Sequence, residues 1–136
     1  MEIEWLILAD SAQVIANKLY LMGGGWDVLT VATGFPVQQR CAVSASFRVP
    51  WNETNEKKNV EIEVVSDDGA TLATVKGQVE VGRPAGIPPG LEQRAQIAAE
   101  MVLNLQAPGS FAILARIEEQ EKARVSFRVV SATRPT

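Results

Sequence analysis

Gly23-Gly24-Gly25, followed by Trp26, is the first segment whose residue types suggest chemistry. A run of glycines can cradle phosphate when it joins a strand to a helix N-terminus, usually with a lysine nearby. Here Asp27 follows, and the next residues, Val28 to Val31, are rich in β-branched side chains. The expected role is therefore a bend or bulge in which glycine supplies positive φ. Two acidic clusters, Asp67-Asp68 and Glu118-Glu119 with Glu121, would suit a cation by charge. Neither has the spacing of a calcium loop, and both sit where hairpin tips are expected. Trp5, Trp26 and Trp51 raise the idea of an aromatic platform for sugar rings. Trp26 and Trp51 are the ligand-binding candidates, although tryptophan in a β protein more often fills a core or an interface.

What is missing narrows the chemistry further. The sequence has no histidine and one cysteine. Histidine-based triads, histidine zinc sites, disulfide frameworks and thiolate clusters are all removed. A carboxylate-based enzyme would need two facing carboxylates, one of them with a raised pKa, and no pair stands out in the sequence. The expectation is a non-enzyme with no catalytic residue, no metal and no cofactor. Asn52-Glu53-Thr54 matches a glycosylation acceptor, which carries no weight without a secretion signal.

The chain has 136 residues, enough for one domain spanning residues 1–136. Thirteen basic residues face sixteen acidic ones, for a net charge of −3. That balance argues against a nucleic-acid partner. No apolar run approaches membrane-spanning length, and Met1-Glu2-Ile3-Glu4-Trp5 does not open a signal peptide. A cytoplasmic protein without membrane contact is expected, and the single Cys41 suits a reducing compartment.

The elements that must position these residues are strands. Cys41, Val43, Ala45, Phe47 and Val49 alternate with Ala42, Ser44, Ser46 and Arg48. Val60, Ile62 and Val64 alternate with Glu61 and Glu63. Val75, Val79 and Val81 alternate with polar residues, as do Phe111, Ile113 and Ile117, then Val125, Phe127 and Val129. Asp67-Asp68-Gly69, Pro50-Trp51-Asn52, Pro108-Gly109 and Glu118 to Lys122 mark the turns between them. Residues 91–105 are rich in helix formers, yet Ala95, Ile97, Ala99, Met101, Leu103 and Leu105 alternate, and strand is the favoured reading. The fold class expected is all-β, an antiparallel immunoglobulin-like sandwich of eight or nine strands. A barrel, or a sandwich with one helix at 91–105, is the alternative.

The first strand, Ile3 to Ala9, is apolar on both faces. Simple alternation points Ile3, Trp5 and Ile7 one way and Leu6 and Leu8 the other. A sandwich strand usually keeps one wet face, so either a loop covers the second face or it is a contact surface. Leu6 and Leu8 are therefore interface candidates. Gly82 to Gly90 is a glycine- and proline-rich segment that cannot be regular structure. Its Arg83, Pro84, Ile87, Pro88 and Pro89 complete the interface candidates, as a preformed, low-entropy surface. Arg116, Arg124 and Arg128 share the outward face of the last two strands, as a basic stripe or a solvated face.

Several of these segments together resemble a bacterial domain-of-unknown-function family. They are Leu8-Ala9-Asp10-Ser11-Ala12-Gln13, Lys18-Leu19-Tyr20-Leu21-Met22-Gly23-Gly24-Gly25-Trp26, Val49-Pro50-Trp51-Asn52-Glu53-Thr54 and Val81-Gly82-Arg83-Pro84. The resemblance implies a small single-domain β protein and carries no activity with it. It also implies a strand, a tight turn at Asn17-Lys18 and a second strand. A one-turn helix over Asp10 to Ile15, capped by Asp10 or Ser11, is the alternative there.

The functional expectation is a structural or protein-interaction module that self-associates through an apolar strand face or a sheet edge. Its partner is a second copy or another protein. A carbohydrate or small-ligand module using Trp26 or Trp51 is the alternative, with a carboxylate-based enzyme behind it.

Overall fold

The computed structural model of the chain describes residues 1–132. Nine strands follow one another: β1 (Glu2–Ile15), β2 (Lys18–Gly24), β3 (Val28–Val31), β4 (Val37–Val49), β5 (Lys58–Ser66), β6 (Thr71–Val79), β7 (Gln93–Leu105), β8 (Gly109–Ile117) and β9 (Gln120–Ser131). A single 3-10 turn, Trp51–Glu53, lies between β4 and β5. One sheet has the order β2-β1-β4-β7 and the other β3-β9-β8-β5-β6. The neighbours β1-β4-β7 and β6-β5-β8-β9 reproduce the A-B-E and C′-C-F-G rows of an immunoglobulin sandwich. All pairings are antiparallel except β3 with β9, which runs parallel from Val28↔Arg128 to Val31↔Ser131.

The alternation read from the sequence is what packs the two sheets. Cys41, Val43, Ala45, Phe47 and Val49 of β4 are all buried, opposite Val60, Ile62 and Val64 of β5 and Phe111, Ile113 and Ile117 of β8 in the other sheet. Phe111 and Phe127 are cross-strand partners, stacked with centroids 5.4 Å apart. Aromatic pairs at this spacing add to what area burial alone contributes. The sheets stay open, with β2, β7, β3 and β6 as edges, so the barrel is not formed. Residues 93–105 pair with β4 along its whole length, from Val49↔Gln93 to Val37↔Leu105. Burial of the alternating row overrides the helix propensity of that stretch.

Two local expectations, the phase of β1 and the place of its turn, are corrected, and the strand implied over Asp10 to Ile15 is formed. The ladder between β1 and β4 shifts register between Ile3 and Trp5. That bulge breaks the alternation: Ile3, Leu6 and Leu8 are set against Phe47, Ala45 and Val43 on the core face, and Trp5 and Ile7 against Ser46 and Ser44 on the other. Leu8 is only 2% exposed and Leu6 packs half-buried against the core, so the apolar outer face of β1 belongs to Trp5 and Ile7. The tight turn falls at Ala16-Asn17, one residue earlier than the resemblance implied, with φ of 51° and 63°. Asp10 to Ile15 is strand, and pairs with β2 as far as Ile15↔Lys18.

The outer face of β4 is also drier than its sequence suggests. Ala42, Ser44 and Ser46 are fully buried there. The cover comes from neighbours reaching across β4: the Ser11 hydroxyl donates to Glu100 Oε1 on β7 (2.9 Å), and Gln96 Nε2 on β7 donates to the Asn17 carbonyl (3.1 Å).

Candidate interaction surface

The β1–β2 hairpin carries the most conspicuous surface of the molecule. Two consecutive residues with positive φ, Ala16 and Asn17, form a two-residue turn whose twist matches that of the strands it joins. Asn accepts this conformation at little cost; Ala16 does so against its preference. Beyond the turn β2 forms the edge of its sheet, and six of its seven residues are exposed. Large apolar side chains concentrate there: Ile15 is 55% exposed, Tyr20 54% and Met22 73%, with Leu21 beside them at 36%. Among the described residues, four of the seven large exposed apolar side chains thus fall on one hairpin. Isolated exposed apolar residues are normal, but a contiguous group on a free strand edge marks a contact site.

The glycine run closes this element as a bend. Gly23 has φ of +62°, and a Cβ there would overlap the Asp10 carboxylate. Gly25 has φ of +85° and donates its N–H to the Leu8 carbonyl at 2.8 Å. Asp10 therefore fills the space a side chain at Gly23 would take, and its carboxylate stands at the base of the β2 edge.

The proline segment is exposed but tied down. Two turns succeed one another, with Ile87 N–H donating to Pro84 O (3.3 Å) and Leu91 N–H to Pro88 O (3.2 Å). Gly86 (φ +91°) and Gly90 (φ +84°) occupy their third positions, as the type II turn requires. Arg83 is anchored: Nε donates to Thr54 Oγ1 at 2.6 Å and a terminal nitrogen donates to the Trp51 carbonyl at 3.0 Å. Pro84, Pro88 and Pro89 are exposed and Ile87 is half-buried.

Neither ligand candidate offers an open aromatic platform. Trp51 is half-buried beneath the Arg83 guanidinium. Trp26 is half-buried and meets Phe127 edge-on, centroids 5.9 Å apart at 85°. Trp5 carries Arg94 over its ring at 5.0 Å. A hollow of about 590 Å³ lies at one end of the sandwich, over Leu72 and Phe111, and none of the tryptophans lines it.

Several charged side chains pair with one another. Arg94 and Arg48 both reach Glu4, and the hydrogen bonds from Arg94 hold the Glu4 carboxyl below its ordinary range. Arg116 bridges Glu61 (3.2 Å) and Glu63 (3.5 Å), and Arg124 pairs with Glu121 (2.8 Å), lowering the Glu121 pKa through its hydrogen bond. Asp68 accepts from the Ser66 hydroxyl at the hairpin tip, which lowers its pKa too. Burial, with the Asp10 charge added, pushes the Cys41 thiol up to about 11. Among the described residues no group of three or more carboxylates or thiols is arranged to hold a metal.

A family model described as a family of unknown function, DUF6941, matches residues 4–130. The chain belongs to this family. The DUF6941 match begins within β1 and ends within β9, so it takes in both sheets and the β1–β2 hairpin. No curated protein matches the chain. No helix is long and apolar enough to cross a membrane among the described residues.

Sequence patterning points to Leu6, Leu8 and the proline segment and not to the hairpin edge. Its signal was present in Leu19 to Met22, four consecutive large apolar residues without the alternation of a half-buried strand.

Proposed function

We propose that this chain is a non-enzymatic structural or protein-interaction module that self-associates through the edge of its four-stranded sheet. The observation that carries the reading is the exposed apolar hairpin, with Ile15, Tyr20, Leu21 and Met22 on or beside the free strand β2. Exposed strand edges pair readily with another chain because their N–H and C=O groups are already aligned for it. The carboxylates with perturbed pKa values, Glu4, Glu53, Asp68 and Glu121, are all shifted downward, which suits ion pairing and not proton donation near neutral pH. The setting we propose is the bacterial cytoplasm, where a single buried thiol needs no partner. Neither nucleic acid nor membrane enters this reading as a partner.

The test is native mass spectrometry with light scattering across a concentration series. A discrete oligomer, lost in the Tyr20→Glu/Met22→Glu double variant with circular dichroism unchanged, is expected. A clean monomer at every concentration overturns the reading.

A further inference from the structure

We infer that the outer half of the β1–β2 hairpin is a hinged flap, closed over the outer face of β4, that lifts as a unit while the two sheets stay paired. It needs no second copy, and stands apart from the self-association reading above. β1 leaves β4 at Ala9↔Ala42, and from Ser11 to Ile15 its only strand partner, among the described residues, is β2. Continued straight, β1 would carry its turn roughly 40 Å beyond Trp5 at the rise of a strand. Instead the Asn17 carbonyl accepts from Gln96 Nε2 at 3.1 Å, and Gln96 is level with Ser46, the partner of Trp5. The arm has therefore doubled back over its own sheet. It lies on the outer face, because its anchor points on β7, Gln96 and Glu100, alternate with Ile97 and Met101, which pack into the core. Beneath it Ala42, Ser44 and Ser46 are fully buried.

The bend has a hinge. The ladder runs from Ala9↔Gly24 to Ser11↔Met22, passing over Asp10 and Gly23. On the β2 side the chain turns through Gly23 (φ +62°), Gly24 and Gly25 (φ +85°), where glycine meets the least steric resistance to movement. The ties beyond the hinge are light. Two exposed hydrogen bonds, Ser11 to Glu100 and Gln96 to Asn17, fasten the arm to β7. Closure also leaves the buried Ser44 hydroxyl without a hydrogen-bond partner, a cost that lifting the arm removes. Few ties and an unmet buried hydroxyl place the closed arm at the low-stability end of the structure.

The two faces of the arm differ. Ile15, Tyr20 and Met22 are exposed, whereas Ala12 is buried and Val14 and Leu19 are half-buried. Closed, the arm displays the first face alone. Lifted, it also releases the second face and uncovers the small residues of β4.

The experiment is thiol labelling of the full chain, at low concentration and pH 8, with a water-soluble disulfide reagent. Ser44→Cys and, separately, Ala42→Cys place a thiol beneath the arm. The unaltered protein, whose one thiol is the core residue Cys41, is the reference. Both introduced thiols are expected to label roughly tenfold or more faster than Cys41. Their rates should depend little on dilute urea, because lifting the arm exposes little surface, whereas the Cys41 rate should climb steeply. Adding Ser11→Ala or Gln96→Ala should speed labelling at positions 42 and 44 roughly two- to tenfold, the loss of one modest hydrogen bond. Labelling of both introduced thiols at the Cys41 rate, with the same steep urea dependence, overturns the flap, since arm and sandwich would then open together. A fast rate that neither Ser11→Ala nor Gln96→Ala changes also overturns it, since the arm would then not be what covers β4.

Discussion

The guanidinium carbon of Arg83 stands 4.0 Å from the centroid of the Trp51 ring. Together with its hydrogen bonds to Thr54 Oγ1 and the Trp51 carbonyl, it fastens the proline segment to the 3-10 turn after β4. Arg83→Ala is expected to cost about 1–2 kcal/mol, from a partly exposed cation–π contact and two modest hydrogen bonds. Arg83→Lys should restore only part of this, because an ammonium cannot stack and fork in the same way. Urea denaturation of the three proteins, all at one low concentration, checks both statements.

Leu8 and Met22 test where the apolar contacts lie. Leu8→Ala is expected to lose about 2–5 kcal/mol, because it empties a core position between the sheets. Met22→Ala should change the stability of the monomer by no more than about 0.5 kcal/mol. Thermal or urea unfolding at low concentration separates the two, and a mild Leu8→Ala would contradict its place in the core.

Cys41 reports unfolding. With its pKa raised to about 11 by burial, and 2% of it exposed, the thiol should resist a water-soluble disulfide reagent at pH 8 in the folded protein. In denaturant it should react completely. Rapid labelling without denaturant would mean that β4 opens locally.

Acid should weaken the fold. Glu4, Asp68 and Glu121 all titrate below their ordinary values in the folded chain, Glu4 and Glu121 through hydrogen bonds from Arg94 and Arg124. Their contribution is fully present well above the ordinary glutamate value of 4.5 and is lost as pH falls through the lower folded values. The urea midpoint is therefore expected to be flat near neutrality and to drop as pH is lowered from about 4.5. Glu4→Gln should show a shallower drop. A midpoint that rises on acidification would reverse this sign.

The sandwich was legible because burial on one face writes period two into the chain. Val60, Ile62 and Val64 against Glu61 and Glu63 needed no further information, and the row from Ala95 to Leu105 outweighed its helix formers. The phase of β1 was not legible. The bulge between Ile3 and Trp5 exchanges the faces of the residues around it, and nothing in five apolar residues in a row says where the extra residue falls. The dryness of Ser44 was hidden for a related reason: it depends on neighbouring strands leaning over β4, and no local pattern encodes that. The exposed edge of β2 reads like core, because a contact surface and an interior select the same residue types.

The parallel pairing of β3 with β9 has a consequence for biosynthesis. β9 lies between β3 and β8, and brings Phe127 and Val129 into the interior. Val28 to Val31 are made early, yet their strand partner, Arg128 to Ser131, leaves the ribosome about a hundred residues later, after roughly 5–20 s of elongation. Until then β3 has no strand partner and is available to any neighbouring nascent chain. Closure of the five-stranded sheet at this end therefore waits for β9, long after the β1–β2 hairpin of the other sheet has been made.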